Sequence, residues 1–199
     1  MNFDKVLKAL LEGTPVIITD NHDRENEGDV VIAAEKASNK NINFFIQEAH
    51  GLMCVPAHGQ ILDNLKIPMM VQDSTDKFRT PFTVSVDAAH GIASGMSVSD
   101  RLKTLAVMTN FGSDPEDLSR PGHLFPLRAN DKLLLGRQGH TESSIELMRL
   151  ADLKEIAVIA EILTVDGTMA RGQELTDFAM SHNLPTITVD EIYKLVYLK

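Results

Sequence analysis

Apolar residues at Phe3, Val6, Leu7, Leu10 and Leu11 recur at helical spacing and predict an opening helix that Gly13 stops. A short apolar run at residues 15–19 then predicts a strand and residues 30–34 a second, with a polar stretch, residues 20–29, between them. Ser38 can cap a helix carrying Ile42, Phe45, Ile46 and Ala49, and residues 52–55 follow as a buried strand. Residues 82–86 read as another strand, and Ser97 or Ser99 can cap a helix through Leu102, Leu105, Ala106 and Met108. Residues 124–129 read as extended and 133–135 as a short apolar run; the chain then predicts helix 141–151, strand 156–163, helix 173–181, strand 186–189 and helix 190–198. Strands and helices alternate without a repeat or a low-complexity linker, so the expected fold is one mixed α/β domain. The order of its strands is not encoded in this pattern.

Composition narrows the class. With 199 residues, 43% hydrophobic and 24% charged, the chain is an ordinary globular protein. A domain of this size buries roughly 70% of its unfolded surface and needs no disulfide or zinc staple. The single cysteine, Cys54, has no internal partner, which fits a reducing compartment. Nine methionines and no tryptophan read as core filling. Against 28 acidic residues stand 19 Lys and Arg, a net charge of −9 that argues against a general nucleic-acid or anionic-membrane surface. It does not exclude an anionic substrate, because a site answers to its local field. The first thirteen residues lack a basic start and a long apolar segment, and no stretch approaches about 18 apolar residues. The expectation is a soluble, cytoplasmic protein.

The stretch DNHDRENEGD packs Asp20, Asp23, Glu25, Glu27 and Asp29 into ten residues, with Arg24 as the one certain cation. Such carboxylates repel one another by about 1 kcal/mol per pair at 4 Å in water, and by more where water is excluded. Either the loop recruits a cation, for which hard oxygen ligands suit Mg²⁺ or Mn²⁺, or it is a solvated hairpin loop. Its spacing does not match an EF-hand.

A second cluster, Arg137-Gln138-Gly139-His140-Thr141-Glu142, precedes an apolar-periodic helix. With Thr141 as N-cap, the free N–H groups of the first turn, Arg137 and the Thr141 hydroxyl would cradle a phosphate; Gly139 would let the backbone approach closely, and His140 could bind a metal. The plainer alternative is a capped helix beside a surface arginine. His123 emerges from a turn, RPGH, and is structural or catalytic. Glu161 sits inside the apolar run IAVIAEIL; facing inward it must be paired, protonated or metal-bound, and facing outward it needs no explanation. Cys54 reads as a small core residue.

Taken together, DRENEGD (23–29), GLMCVP (51–56), TPFTVSVDA (80–88), RPGHLFPLRA (120–129), RQGHTE (137–142) and DGTMAR (166–171) resemble the 3,4-dihydroxy-2-butanone 4-phosphate synthase family of riboflavin biosynthesis, in the family's order and nearly end to end. The resemblance implies an α/β sandwich and a homodimer. It implies a Mg²⁺-dependent conversion of ribulose 5-phosphate to a four-carbon dihydroxybutanone phosphate plus formate; histidine is a soft ligand for Mg²⁺, so Mn²⁺ is expected to work as well. On that resemblance Glu25 and His140 are the metal ligands. Arg24, Asp29, Arg137, Gln138, Gly139, His140 and Thr141 contact substrate together with Glu25 and Glu161. His123 and Glu161 are required for activity and would shuttle protons, with Asp29, Glu27 and Cys54 as further candidate carriers. Asn21-His22 stands where many members carry two acids, and His50 where one branch carries arginine; neither touches a matched ligand. The chain lacks the cysteine set of the GTP cyclohydrolase II domain fused to many bacterial members, so a single domain over residues 1–199 with one activity is expected.

Overall fold

The structure, a computed structural model, describes residues 2–198; the end residues of the expected domain, Met1 and Lys199, lie outside them. Its framework is one seven-stranded mixed sheet with strand order β4-β5-β3-β6-β2-β1-β7. The elements are α1 (Asn2–Leu11), β1 (Val16–Thr19), β2 (Gly28–Ala33), α2 (Asn39–Phe44), β3 (Cys54–Ala57), α3 (Gly59–Asn64) and β4 (Val86–Ala88). They continue with α4 (Val98–Thr109), β5 (Leu118–Arg128), α5 (His140–Leu150), β6 (Ala157–Glu161), α6 (Gln173–His182), β7 (Thr186–Thr188) and α7 (Val189–Tyr197). Two of the adjacent pairs are parallel, β1 with β7 and β3 with β5, and the rest antiparallel.

Every residue of β2 is buried because helices cover the sheet on both sides. Ile17, Val30 and Ile32 pack on one face with Ile42, Leu105, Met108 and Leu175 of α2, α4 and α6. Ile18, Val31 and Ala33 pack on the other with Val6, Leu10, Leu147, Met148 and Ile192 of α1, α5 and α7. The expected α/β sandwich is therefore a three-layer one. Each fully buried Val, Leu or Ile contributes about 1.5–3 kcal/mol of burial, so two such layers suffice without a staple. Among the described residues no helix is long and apolar enough to cross a membrane.

Most expected elements stand where the periodicity puts them, and the departures have local causes. Ser38 caps α2 in a reciprocal box with Asn41, and a π-turn at Phe45–Ala49 extends it to His50, which is left-handed at φ 68°. Of the two serines ahead of α4, Ser97 is the cap. Strand β3 begins at Cys54, two residues late, because the Leu52 amide donates to the Glu161 side chain and not to the ladder. The strand expected over 82–86 is displaced to Val86–Ala88; Phe82 and Thr83 make only isolated bridges. The six-residue helix α3 was not expected, being too short to show periodicity. The largest departure is β5, eleven residues long where six were expected. Its first half includes the supposed turn RPGH.

Candidate active site

One edge of the sheet collects the acidic residues. β1 ends at Thr19, β2 begins at Gly28 and β6 ends at Glu161, all at the same edge. Asp29 pairs directly with Glu161, so their side chains share a face, the face that α5 covers. The N-terminal turn of α5 then sets His140 above Asp29, with Nδ1 at 3.5 Å from Asp29 Oδ1 and 3.9 Å from Glu25 Oε2.

The five carboxylates of the loop have different tasks. Asp20, fully shielded, accepts the backbone N–H of Glu25 (3.1 Å) and of Glu27 (2.9 Å) and the Arg24 guanidinium (2.7 Å); it shapes the loop. Asp23 is exposed. Glu27 turns away to Arg171, at 2.8 Å, which links DGTMAR to the loop. Glu25, with Arg24 hydrogen-bonded to its Oε2, and Asp29 remain at the centre. Neither the metal-loop nor the solvated-loop reading describes all five.

Electrostatics at this edge are strained. Burial, then the charges of Glu161, Glu25 and Asp20, hold the Asp29 carboxyl well above the ordinary carboxylate range. Burial and the Glu25 charge raise Glu161 as well, against the hydrogen bond from the Leu52 amide at 2.9 Å. Burial pushes His140 down to about 4, which leaves a neutral imidazole. Two buried atoms there, Asp29 Oδ1 and His140 Nε2, have no hydrogen-bond partner among the described residues, a costly arrangement away from water. Removing one charge relieves it. Asp29→Asn keeps the shape and is expected to raise the melting temperature of the metal-free protein by several degrees, at about 2–4 °C per kcal/mol for this size, while lowering turnover. A fall in melting temperature by calorimetric scanning would show that Asp29 is compensated.

Side chains beside the orphaned atoms test whether a cation fits. Among the described residues no three His, Cys, Asp or Glu side chains converge on one point. Glu25 Oε2 and His140 Nδ1, 3.9 Å apart, are nevertheless within the span of about 4.2 Å that two ligands of one Mg²⁺ can bridge at about 2.1 Å each. Mg²⁺ keeps several waters and often takes only one or two protein ligands, so the pair fits.

The start of α5 differs from expectation. Gly139, extended at φ −115° and ψ 169°, is the N-cap, and the helix begins at His140, so Thr141 lies in the first turn and is not the cap. The reason is the Gly139 carbonyl, which accepts from the Ser143 amide (3.0 Å) and hydroxyl (2.8 Å). Gly139 has no side chain to cap the first turn and no other cap is made among the described residues, which leaves the turn's N–H groups for an outside acceptor. What passes close to Gly139 is Arg137: a Cβ at Gly139 would lie 2.2 Å from its Nη1. Glu142, completely buried, holds that guanidinium at 2.7 Å, and the Phe78 carbonyl takes its Nε at 3.3 Å. Arg24 and exposed Gln138 line a cavity of about 320 Å³ with Lys77 and Phe78, beside this arginine. A larger cavity of about 680 Å³ lies behind the loop, against α6, and touches none of Glu25, Arg137, His140 or Glu161.

His123 is placed on the same face but apart. It lies on β5 two residues before Phe125, which pairs with Cys54 of β3, and β3 in turn neighbours β6. Two strand spacings, about 10 Å, therefore separate its backbone from Glu161. It lines a separate cavity of about 360 Å³ with Leu52, Met96 and Arg101. Cys54 is the core residue expected, 3% exposed, and burial followed by the Glu161 and Asp29 charges pushes its thiol up, which removes it as a proton carrier near neutrality. Three residues escaped the sequence reading: Phe78, Glu142 and Asp87. For Asp87 the signal was available, an acid inside the apolar alternation of TVSVDA, as for Glu161.

Raised carboxyls gathered beside fixed arginines mark a candidate site for proton transfer on a mixed-sheet α/β fold, and the family comparisons make the class an enzyme. Residues 4–195 match the family model of 3,4-dihydroxy-2-butanone 4-phosphate synthase. A synthase of that name from Agrobacterium fabrum is 44% identical over 98% of this chain and 91% of its own. A crystal structure of a 3,4-dihydroxy-2-butanone 4-phosphate synthase in complex with two magnesium ions superimposes with a TM-score of 0.93, at 35% identity, covering 98% of this chain and 96% of that one. A two-domain synthase from A. baumannii superimposes equally well, TM-score 0.93 at 36% identity; 98% of this chain matches 58% of that chain. The chain belongs to the 3,4-dihydroxy-2-butanone 4-phosphate synthase family, enzymes of riboflavin biosynthesis.

Proposed function

We propose that the chain converts D-ribulose 5-phosphate to L-3,4-dihydroxy-2-butanone 4-phosphate and formate, as a cytoplasmic enzyme. The observation that carries this reading is the convergence of Glu25, Asp29, Glu161 and His140 at one sheet edge, beside Arg24 and Arg137. Family membership supports it independently.

Glu25 and His140 would hold a divalent cation, Mg²⁺ or in its place Mn²⁺, which when bound supplies Lewis-acid polarisation of adjacent substrate oxygens. The phosphate is bound by Arg137, by the uncapped N–H groups of α5 around Gly139, His140 and Thr141, and by Gln138 at the rim. Arg24 and Asp29 orient the sugar hydroxyls. Glu161, whose carboxyl burial raises, takes and returns a proton at its carboxylate. His123 exchanges a second proton through its ring. Asp29 and His140 are buried, so this side of the site would offer bound substrate little water. The protein works as a homodimer, a reading supported by family resemblance and by exposed Ile46, Leu52 and Met96 around the His123 cavity.

Proton NMR of ribulose 5-phosphate with the purified protein and Mg²⁺ tests the proposal. The expected result is a new methyl-ketone signal with equimolar formate, lost when a chelator is added. Inorganic phosphate or a triose phosphate as product would replace the proposal with a phosphatase or an aldolase. An unchanged spectrum with Mg²⁺ and then Mn²⁺ would leave only a binding role.

A further inference from the structure

The middle residue of β4, Asp87, is a buried acid, and both of its carboxylate oxygens are spent on one histidine. Asp87 is 5% exposed; its Oδ1 accepts the His123 backbone N–H at 3.0 Å, and its Oδ2 lies 2.6 Å from His123 Nδ1. A bulge makes both bonds available. Val86 pairs with Leu124 and the next residue, Asp87, with Ser119, so Arg120, Pro121, Gly122 and His123 loop out opposite a single peptide of β4.

Two glycines make room for the contact. A Cβ at Gly122 would lie 2.0 Å from the Val86 carbonyl carbon, and one at Gly95 2.1 Å from Asp87 Oδ2 and 2.6 Å from His123 Nδ1. Gly95 is tethered there by Asp100, which accepts its N–H at 3.2 Å and is itself in the capped first turn of α4. Arg101, also on α4 and buried, feels the Asp87 charge without competing for its oxygens: its donors go to the Met96 carbonyl and to the sulfurs of Met53 and Met96. β4, the β5 bulge, the 94–97 loop and α4 thus meet around one hydrogen-bonded pair.

We propose that Asp87 is the positioning residue of His123, fixing its ring with the hydrogen on Nδ1 and presenting Nε2 as the nitrogen that takes and returns the substrate's proton. The proposal rests on the reading of His123 as a proton carrier. A carboxylate oxygen only accepts, so the 2.6 Å contact requires a hydrogen on Nδ1, and the neutral ring then offers its lone pair at Nε2. Once Nε2 is protonated, the carboxylate faces an imidazolium and stabilises it, and the backbone bond stops the ring from swinging away. Both partners of Asp87 are donors, so it needs two accepting oxygens. Asparagine has one, and either the ring or the backbone amide must lose its acceptor.

The wild-type protein with ¹⁵N-labelled histidine gives the primary test, His123 being assigned by the signal missing in His123→Ala. The Nδ1–H tautomer is expected for the neutral ring; the Nε2–H tautomer would overturn the proposal without any variant. In Asp87→Asn the tautomer ratio should shift and kcat fall about 100-fold or more, with KM and Mn²⁺ affinity within about twofold of wild type. Asp87→Glu, which keeps two accepting oxygens, should recover part of the rate. A folded Asp87→Asn with unchanged tautomer and turnover would overturn the positioning role. Full activity of His123→Ala would instead overturn the proton role on which it stands, with the tautomer result untouched.

Discussion

Glu161→Gln is expected to lower formate production by about 10²–10⁴-fold while ribulose 5-phosphate binding stays within a few-fold of wild type. The substitution is close to isosteric, and the glutamine carbonyl can still accept the Leu52 amide that now holds Glu161 Oε2 at 2.9 Å. The edge of the sheet, where Asp29 and Glu161 are cross-strand neighbours, keeps its register. What is lost is a carboxyl that burial and the Glu25 charge raise, and with it the proton exchange proposed for Glu161. Amide nitrogen neither takes nor gives a proton at working pH. Formate quantified by proton NMR, with binding followed by calorimetry, separates the two effects, and near-wild-type formate would remove Glu161 from the chemistry.

Metal titration should divide the remaining residues. Glu25→Gln is expected to weaken Mg²⁺ and Mn²⁺ binding by about 100-fold or more, since on the proposed assignment it removes one of two protein donors and the negative charge with it; loss of an outer partner alone costs about 10–100-fold. Glu25 is a partly exposed loop residue, so the fold should survive the change. His123→Ala should leave metal affinity unchanged, because its backbone lies two strands from Glu161 and its ring is held by Asp87. Isothermal calorimetry of both variants, with wild type as reference, decides. If His123→Ala weakened the metal and Glu25→Gln did not, the assignments would be exchanged.

The histidine at RPGH shows the limit of reading a strand from its residues. Proline and glycine there signalled a turn, and a turn-like excursion does exist, but β5 closes around it on both sides. A bulge is a relation between two strands, and β4 lies more than thirty positions away in sequence. Thr141 failed as the helix cap for a nearby reason. Threonine is a good cap by type, but the choice of Gly139 depended on Ser143 claiming its carbonyl and on Arg137 crossing where a Cβ would stand.

Composition and periodicity by themselves determined a mixed α/β domain, most of its helices and strands, and, through six motifs, a family. Those are properties of short segments, set by side-chain alternation, capping and backbone sterics, and each is complete within about fifteen residues. Tertiary structure alone decided which of the loop's five carboxylates stays at the site, which shapes the loop and which pairs with Arg171. It alone joined Asp29 to Glu161 and Asp87 to His123. Those outcomes depend on strand order and on burial, which raises the Asp29 and Glu161 carboxyls through neighbours brought in from elsewhere in the chain.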